Sequence, residues 1–153
     1  MAASIRPVPL FDSAVHPDLL WPRSAPWPRR RARAVLRRFQ IAFPELEYDI
    51  DLDVPLANAQ AFLEDGVRRV RLYGGLVRHR LIGMEGIAVV LGHETGHHLG
   101  GAPFHEQLKW LSSETRADAW AATVGLRKVF GTSGARRITV SGTKQLNEIK
   151  ASQ

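Results

Sequence analysis

Apolar and acidic residues trade places at every second position along "ELEYDIDLDV", Glu45 to Val54. That period predicts a half-buried β-strand. A second strand follows the turn residues Asp65-Gly66. In "DGVRRVRLYGG" Val67, Val70 and Leu72 stand among arginines, and Gly74-Gly75 end the run. The alternation there is imperfect, which leaves one face partly open. Elsewhere the period is helical. In "PRRRARAVLRRFQIAF" Pro28 suits a first turn, and Ala32, Val35, Leu36 and Phe39 fall at helical spacing. Met84 to Leu99 predicts another helix, ended by Gly100-Gly101 and barred from continuing by Pro103. "SSETRADAWAATVGLRKVF" predicts a third. Ser112 or Ser113 is its cap, and Ala117, Trp120, Ala121 and Val124 form its apolar stripe.

The flanks lack such periods. Residues 1–28, with "PVP", "HPD" and "WPRSAPWP", read as an irregular proline-rich arm held on by Trp21 and Trp27. After Gly131 the chain turns rich in Gly, Ser and Thr. Residues 131–153 read as a flexible tail with a weak strand at Ile138 to Val140. One folded unit, 29–130, lies between, and there is no internal repeat.

A length of 153 residues suits one domain, and a 44% hydrophobic content suffices for a core. The net charge is +6, from 21 Lys and Arg against 15 Asp and Glu. Such an excess attracts nucleic acid or anionic lipid, but charge alone does not favour either partner. The arginines of the first helix lie mostly opposite its apolar stripe. A solvated face is the plain account of them, and a docking surface for an acidic partner is the sharper one. The absence of cysteine excludes a disulfide scaffold and a thiolate metal site, so any metal falls to His and carboxylate. "MAASIRPVPLFDSAV" has no apolar signal core, and the longest apolar run, Ile87 to Leu91, is too short to span a bilayer. The expectation is a protein with no transmembrane segment, cytoplasmic as written, or periplasmic or secreted if a leader is removed.

The chemistry concentrates in "VVLGHETGHHLGG", Val89 to Gly101. His93, Glu94 and His97 make H-E-x-x-H. On a helix, positions i and i+4 share a face, so two imidazoles can hold one Zn²⁺ while Glu94 reaches the attacking water. A catalytic zinc usually takes three protein ligands. Position 103 is proline and cannot ligate. His105 and Glu114 both remain candidates, with Glu114 preferred. Glu114 and Asp118 stand at i and i+4 of the third helix, which puts Glu114 on the metal and lets Asp118 accept the free N–H of a ligand histidine. His98 points about 100° away from His97 around the helix. It is expected to line the cleft or to bond a backbone carbonyl.

H-E-x-x-H followed by E-x-x-x-D is the gluzincin pattern. The chain resembles the peptidases grouped with the CAAX prenyl endopeptidase and the HtpX-type bacterial heat-shock proteases. "NAQA" (Asn58 to Ala61) looks like that family's N-A-x-A, "VRRVRLYGGL" like its strand ending in G-L, "IAVVLGHETGHH" like its helix, and "ETRAD" like its E-x-x-A-D. The resemblance covers about residues 55 to 125. It implies a zincin-like α+β fold, in which a small sheet with an edge strand lies over the H-E-x-x-H helix. It implies a zinc endopeptidase with one Zn²⁺ per chain. It also implies that strand Val67 to Tyr73 edges the cleft and binds an extended protein or peptide substrate through Val67, Arg69, Arg71 and Tyr73. The chain departs from the family's well-known members in lacking transmembrane helices and long extra domains. No histidine follows His105 to stabilise an oxyanion; Tyr73, His79 and Arg116 are the candidates for that work.

On this reading zinc on His93, His97 and Glu114 acidifies its water and polarises the scissile carbonyl. Glu94 takes the water's proton and delivers it to the leaving amine. Two rivals are a zinc-stabilised basic module that grips nucleic acid through Arg29 to Arg38, and a regulatory peptidase that cleaves one protein partner, such as a repressor.

Overall fold

A computed structural model describes residues 13–153. Readings that fall on residues 1–12, the first part of the proline-rich arm, lie outside the described residues. The architecture is α+β. Helix α1 (Trp27–Ala42) precedes strands β1 (Glu47–Asp51), β2 (Ala59–Glu64) and β3 (Val67–Tyr73). A short helix α2 (Gly74–Val77) leads to α3 (Met84–Leu99), then α4 (Glu114–Trp120), a π-helical turn (Ala121–Gly125) and α5 (Leu126–Ser152). Among the described residues no helix is long and apolar enough to cross a membrane.

The periodic stretches fold as their patterns dictate. Pro28, Ala32, Val35 and Phe39 form the buried stripe of α1. The stretch from Met84 to Leu99 is one helix, and most of its residues are buried, so α3 is the central element of the molecule. Its Ile87, Ala88 and Leu91 join Val70 and Leu72 of β3, Phe39 of α1, and Leu126, Ile138 and Ile149 of α5 in a single core. In the arm, Val15 and Leu20 are buried, and Leu20 bridges to His79. Trp21 packs edge to face on Trp27 at 5.1 Å, but Trp27 stays 47% exposed.

Three expectations are corrected. Strand β3 is not an edge. The sheet order is β1-β3-β2, with β1 parallel and β2 antiparallel to β3. The sequence reading missed β2 because "AQAFLE" lacks β-branched residues. Asp65 (φ 51°) and Gly66 (φ 79°) both adopt positive φ, which closes a two-residue hairpin and brings β2 onto β3. The arginines of β3 therefore clamp neighbours instead of facing a cleft. Arg69 pairs with Glu47 at 2.8 Å and Glu64 at 3.0 Å, and Arg71 with Asp49 at 2.7 Å.

Residues 131–153 are no flexible tail and hold no strand at Ile138 to Val140. They belong to α5, kinked at Gly131 (φ 77°), with Ala135, Ile138, Gly142 and Ile149 buried at helical spacing. Gly142 lets α5 lie close on α3, since a Cβ there would sit 2.5 Å from the Glu85 carbonyl oxygen. Gln145 Oε1 then accepts from the backbone N–H groups of Gly83 and Gly86, both at 2.8 Å. It caps α3, which has no side-chain cap of its own. Third, Val124 leaves the apolar stripe and is 44% exposed. The π-helical turn inserts a residue and rotates the following chain, so Gly125 and Leu126 turn inward instead.

Candidate metal centre

The two helices that carry the candidate ligands touch at a glycine. A Cβ on Gly96 would lie 2.7 Å from the Ala117 carbonyl oxygen, so α3 and α4 approach almost backbone to backbone. Ser113 caps α4, its Oγ accepting from the Arg116 N–H at 3.2 Å, and this sets Glu114 at the first helical position. The loop before it is clipped to α3 at Ser112. The Ser112 N–H donates to the His97 carbonyl at 2.8 Å, and His97 Nδ1 donates to the Ser112 carbonyl at 2.7 Å.

These contacts bring His93, His97 and Glu114 together. The Nε2 atoms of His93 and His97 are 3.0 Å apart. Glu114 Oε2 lies 2.8 Å from the first and 3.6 Å from the second. On the far side of the His93 ring, Nδ1 donates to Asp118 Oδ1 at 2.6 Å. His97 is fully buried and His93 nearly so. Glu94 is 3% exposed beside the pair, and its carboxylate accepts from the backbone N–H of Ala61 on β2.

The donor set fits a cation. The Nδ1 proton of His97 is committed to a carbonyl, so the Nε2 of the neutral ring presents a lone pair. The Nε2 of His93 and a carboxylate oxygen converge on it. Such acceptors tolerate each other only around positive charge. Their separations of 2.8, 3.0 and 3.6 Å bracket the ~3.3 Å expected between ligands of tetrahedral zinc with bonds of about 2.0–2.1 Å. Glu114 Oε1 and Glu94 Oε2 are buried without a hydrogen-bond partner, which is costly for carboxylates unless a cation or substrate engages them.

The electrostatics of the protein alone place a proton where the donor set would otherwise hold a cation. Burial by itself would lower the His93 pKa. The Asp118 and Glu114 carboxylates overcome it and carry the value up to about 10. Burial would raise Glu114, but the two imidazoles hold it at about 2. Glu94 is pushed up by burial, against the pull of His93 and His97.

His105 does not join the cluster. Its Nδ1 accepts from the Gln107 N–H at 3.2 Å, and it lines a cavity of about 570 Å³ with Phe104, Gln107 and Glu114. That cavity opens onto the exposed side of Glu114. His98 bonds a backbone carbonyl: its Nε2 donates to Arg69 O at 2.8 Å, its ring stacks on Trp110 at 5.4 Å, and burial lowers its pKa to about 4. Each of the three oxyanion candidates has a partner outside the cluster. Tyr73 bonds Gln60, His79 Nδ1 accepts from the Leu81 N–H, and Arg116 Nε donates to the Gly100 carbonyl at 2.6 Å. Nor do Val67, Arg69, Arg71 and Tyr73 approach the cluster as a set. They alternate with Val70 and Leu72, which face the core, and so project from the other face of the sheet.

Two contributors escaped the sequence reading. Ser112 acts on His97 through its carbonyl, which any residue possesses and no motif records. Ala61 acts on Glu94 through its N–H, and its place in "NAQA" was the only signal. Comparison with known proteins adds nothing to these contacts: no protein-family model, curated protein or solved structure matches the chain.

Proposed function

We propose that the protein is a zinc-dependent endopeptidase of gluzincin type with a zincin-like fold. The observation that carries this reading is the convergence of His93, His97 and Glu114, with the buried Glu94 carboxylate beside them. His93, His97 and Glu114 hold the metal, and Asp118 and the Ser112 carbonyl fix the two rings. Zinc supplies a Lewis acid that polarises a carbonyl and makes water acidic. Glu94 is the general base and acid. Burial raises its affinity for a proton, which suits a group that must take one from water and pass it to a leaving amine.

Strand β2, and not β3, borders the cleft. Tyr73 N–H donates to the Asn58 carbonyl, so Asn58, Gln60, Phe62 and Glu64 direct their backbone groups at β3, while Ala59, Ala61 and Leu63 direct theirs outward. The Ala61 N–H goes to Glu94. The outward carbonyls and the Leu63 N–H are where an extended peptide pairs.

Within this reading, a peptidase selective for one protein is supported by the cover on that edge. Ala61 is fully buried under Leu108 and Leu111, with Trp110 packed against them, so substrate must displace or fit this cover.

The test combines metal analysis with a peptidase assay. Purified protein should carry about one zinc per chain, and a chelator should abolish cleavage. Glu94→Gln should keep the zinc and lose about 10²-fold or more in rate. Protein that binds no zinc at micromolar supply overturns the reading. If casein resists and a single partner is cut, the selective form is the right one.

A further inference from the structure

The fold sorts the charges of the chain. Of its 21 Lys and Arg, twelve lie on α1 and α5, and of its 15 Asp and Glu only Glu148 does. The remainder of the molecule, which includes the metal centre, carries more acids than bases. The two basic helices are neighbours. Phe39 of α1 packs on Phe130 of α5 with ring centres 6.0 Å apart. Across that seam Arg38 covers the Phe130 ring and Lys128 covers the Phe43 ring, each at 4.9 Å. The seam between the two helices is thus itself cationic.

We infer that this α1/α5 face docks the phosphate backbone of nucleic acid, independently of sequence. Arg29, Arg33 and Arg37 stand at i, i+4 and i+8 and are all exposed, with no acid on α1 to pair them, although Arg29 also borders a hollow that holds Asp49, Asp51 and Asp53. Like charges so placed destabilise a helix, and a polyanion relieves that repulsion. Two hollows, one on each helix, combine arginine with hydroxyl groups. One, of about 430 Å³, is lined by Ser24, Arg29, Arg30 and Arg33. The other, of about 420 Å³ beside the Gly131 kink, is lined by Thr132, Ser133, Arg136, Arg137 and Ser141. Guanidinium forks and hydroxyls are the donors that grip phosphate oxygens. A lipid surface fits less well. The apolar stripes of both helices are spent on the core; of the large apolar residues left exposed, Trp27 and Ile41 lie at opposite ends of α1 and Val140 stands alone on α5.

The test is fluorescence anisotropy of a labelled 24-base-pair duplex of arbitrary sequence with the intact protein as purified. Binding should be measurable at 50 mM salt. If about four phosphates are engaged, affinity should fall about a hundredfold by 200 mM. Arg33→Glu with Arg37→Glu, and separately Arg136→Glu with Arg137→Glu, should each weaken binding tenfold or more. Lysine at the same four positions should retain most of it, with far-ultraviolet circular dichroism reporting that the variants are folded. Glu94→Gln should bind the duplex like wild type, whatever becomes of the peptidase reading. No anisotropy change at 100 µM protein and 50 mM salt overturns the inference. So does a salt-independent signal, or tighter association with phosphatidylglycerol vesicles than with the duplex.

Discussion

The proposed function gives each side chain at the centre a separate duty, and substitutions should separate them. Under it Glu114→Ala removes a ligand, so zinc affinity itself should fall, with activity partly restored at high zinc. Asp118→Ala leaves the ligands but frees the His93 ring, and should weaken zinc binding by about 10- to 100-fold. His105→Ala should leave zinc bound; isothermal titration of the three variants checks the order. Protons give a second test. With no metal bound, His93 keeps its proton to about pH 10 and Glu114 its charge down to about pH 2. The sign follows from those values. The stability that His93 contributes is whole below its unfolded pKa of 6.5 and is lost as pH rises through about 10. That of Glu114 is whole above 4.5 and is lost as pH falls through about 2. Zinc requires a neutral imidazole, so uptake at pH 7 should release about one proton, and affinity should rise about tenfold per pH unit until His93 deprotonates by itself. A pH-indicator titration that shows no proton release would contradict the His93 environment described above.

Elements show what a sequence reveals and what it hides. Helices α1 and α3 were legible because their apolar positions recur at the helical period and their ends are marked by Pro28 and by Gly100-Gly101. The candidate ligands were legible for the same reason, since spacing on a helix fixes which side chains share a face. Strand β2 was hidden by its alanines, and with it the edge of the sheet nearest Glu94. Helix α5 was hidden because its Gly, Ser and Thr residues resemble those of a linker, although Ala135, Ile138 and Ile149 already mark one face. Both lessons can be tested. Leu63→Pro removes an outward N–H from β2 and should lower peptide turnover more than stability. A proline at Val70, in the middle strand, should instead prevent folding. Gln145→Ala takes the shared acceptor from two backbone N–H groups at the start of α3. A loss of about 1–3 kcal/mol in denaturant unfolding is expected.

At the scale of the whole molecule, the candidate ligands span a small part of the chain while their supports come from most of it. Tyr48 of β1 shares a hydrogen bond of 2.8 Å with Thr95, Ala61 of β2 holds Glu94, and Gln145 of α5 caps α3. The core runs through all of these elements without needing the ligands. Ser112 is the exception, since it belongs to the loop that joins α3 to α4 and meets α3 through His97 alone among the two ligand rings. That loop has a thermodynamic consequence. A metal bridging His97 and Glu114 ties together the ends of one short segment, and the entropy that a cross-link removes from an unfolded chain grows with the length it encloses. On the proposed reading, zinc would be a staple for a loop and not a keystone for the fold. Chelation should therefore speed amide hydrogen exchange across residues 100–113 and leave the protection of β3 and α5 largely intact. Uniform loss of protection would mean that the metal holds the whole chain together.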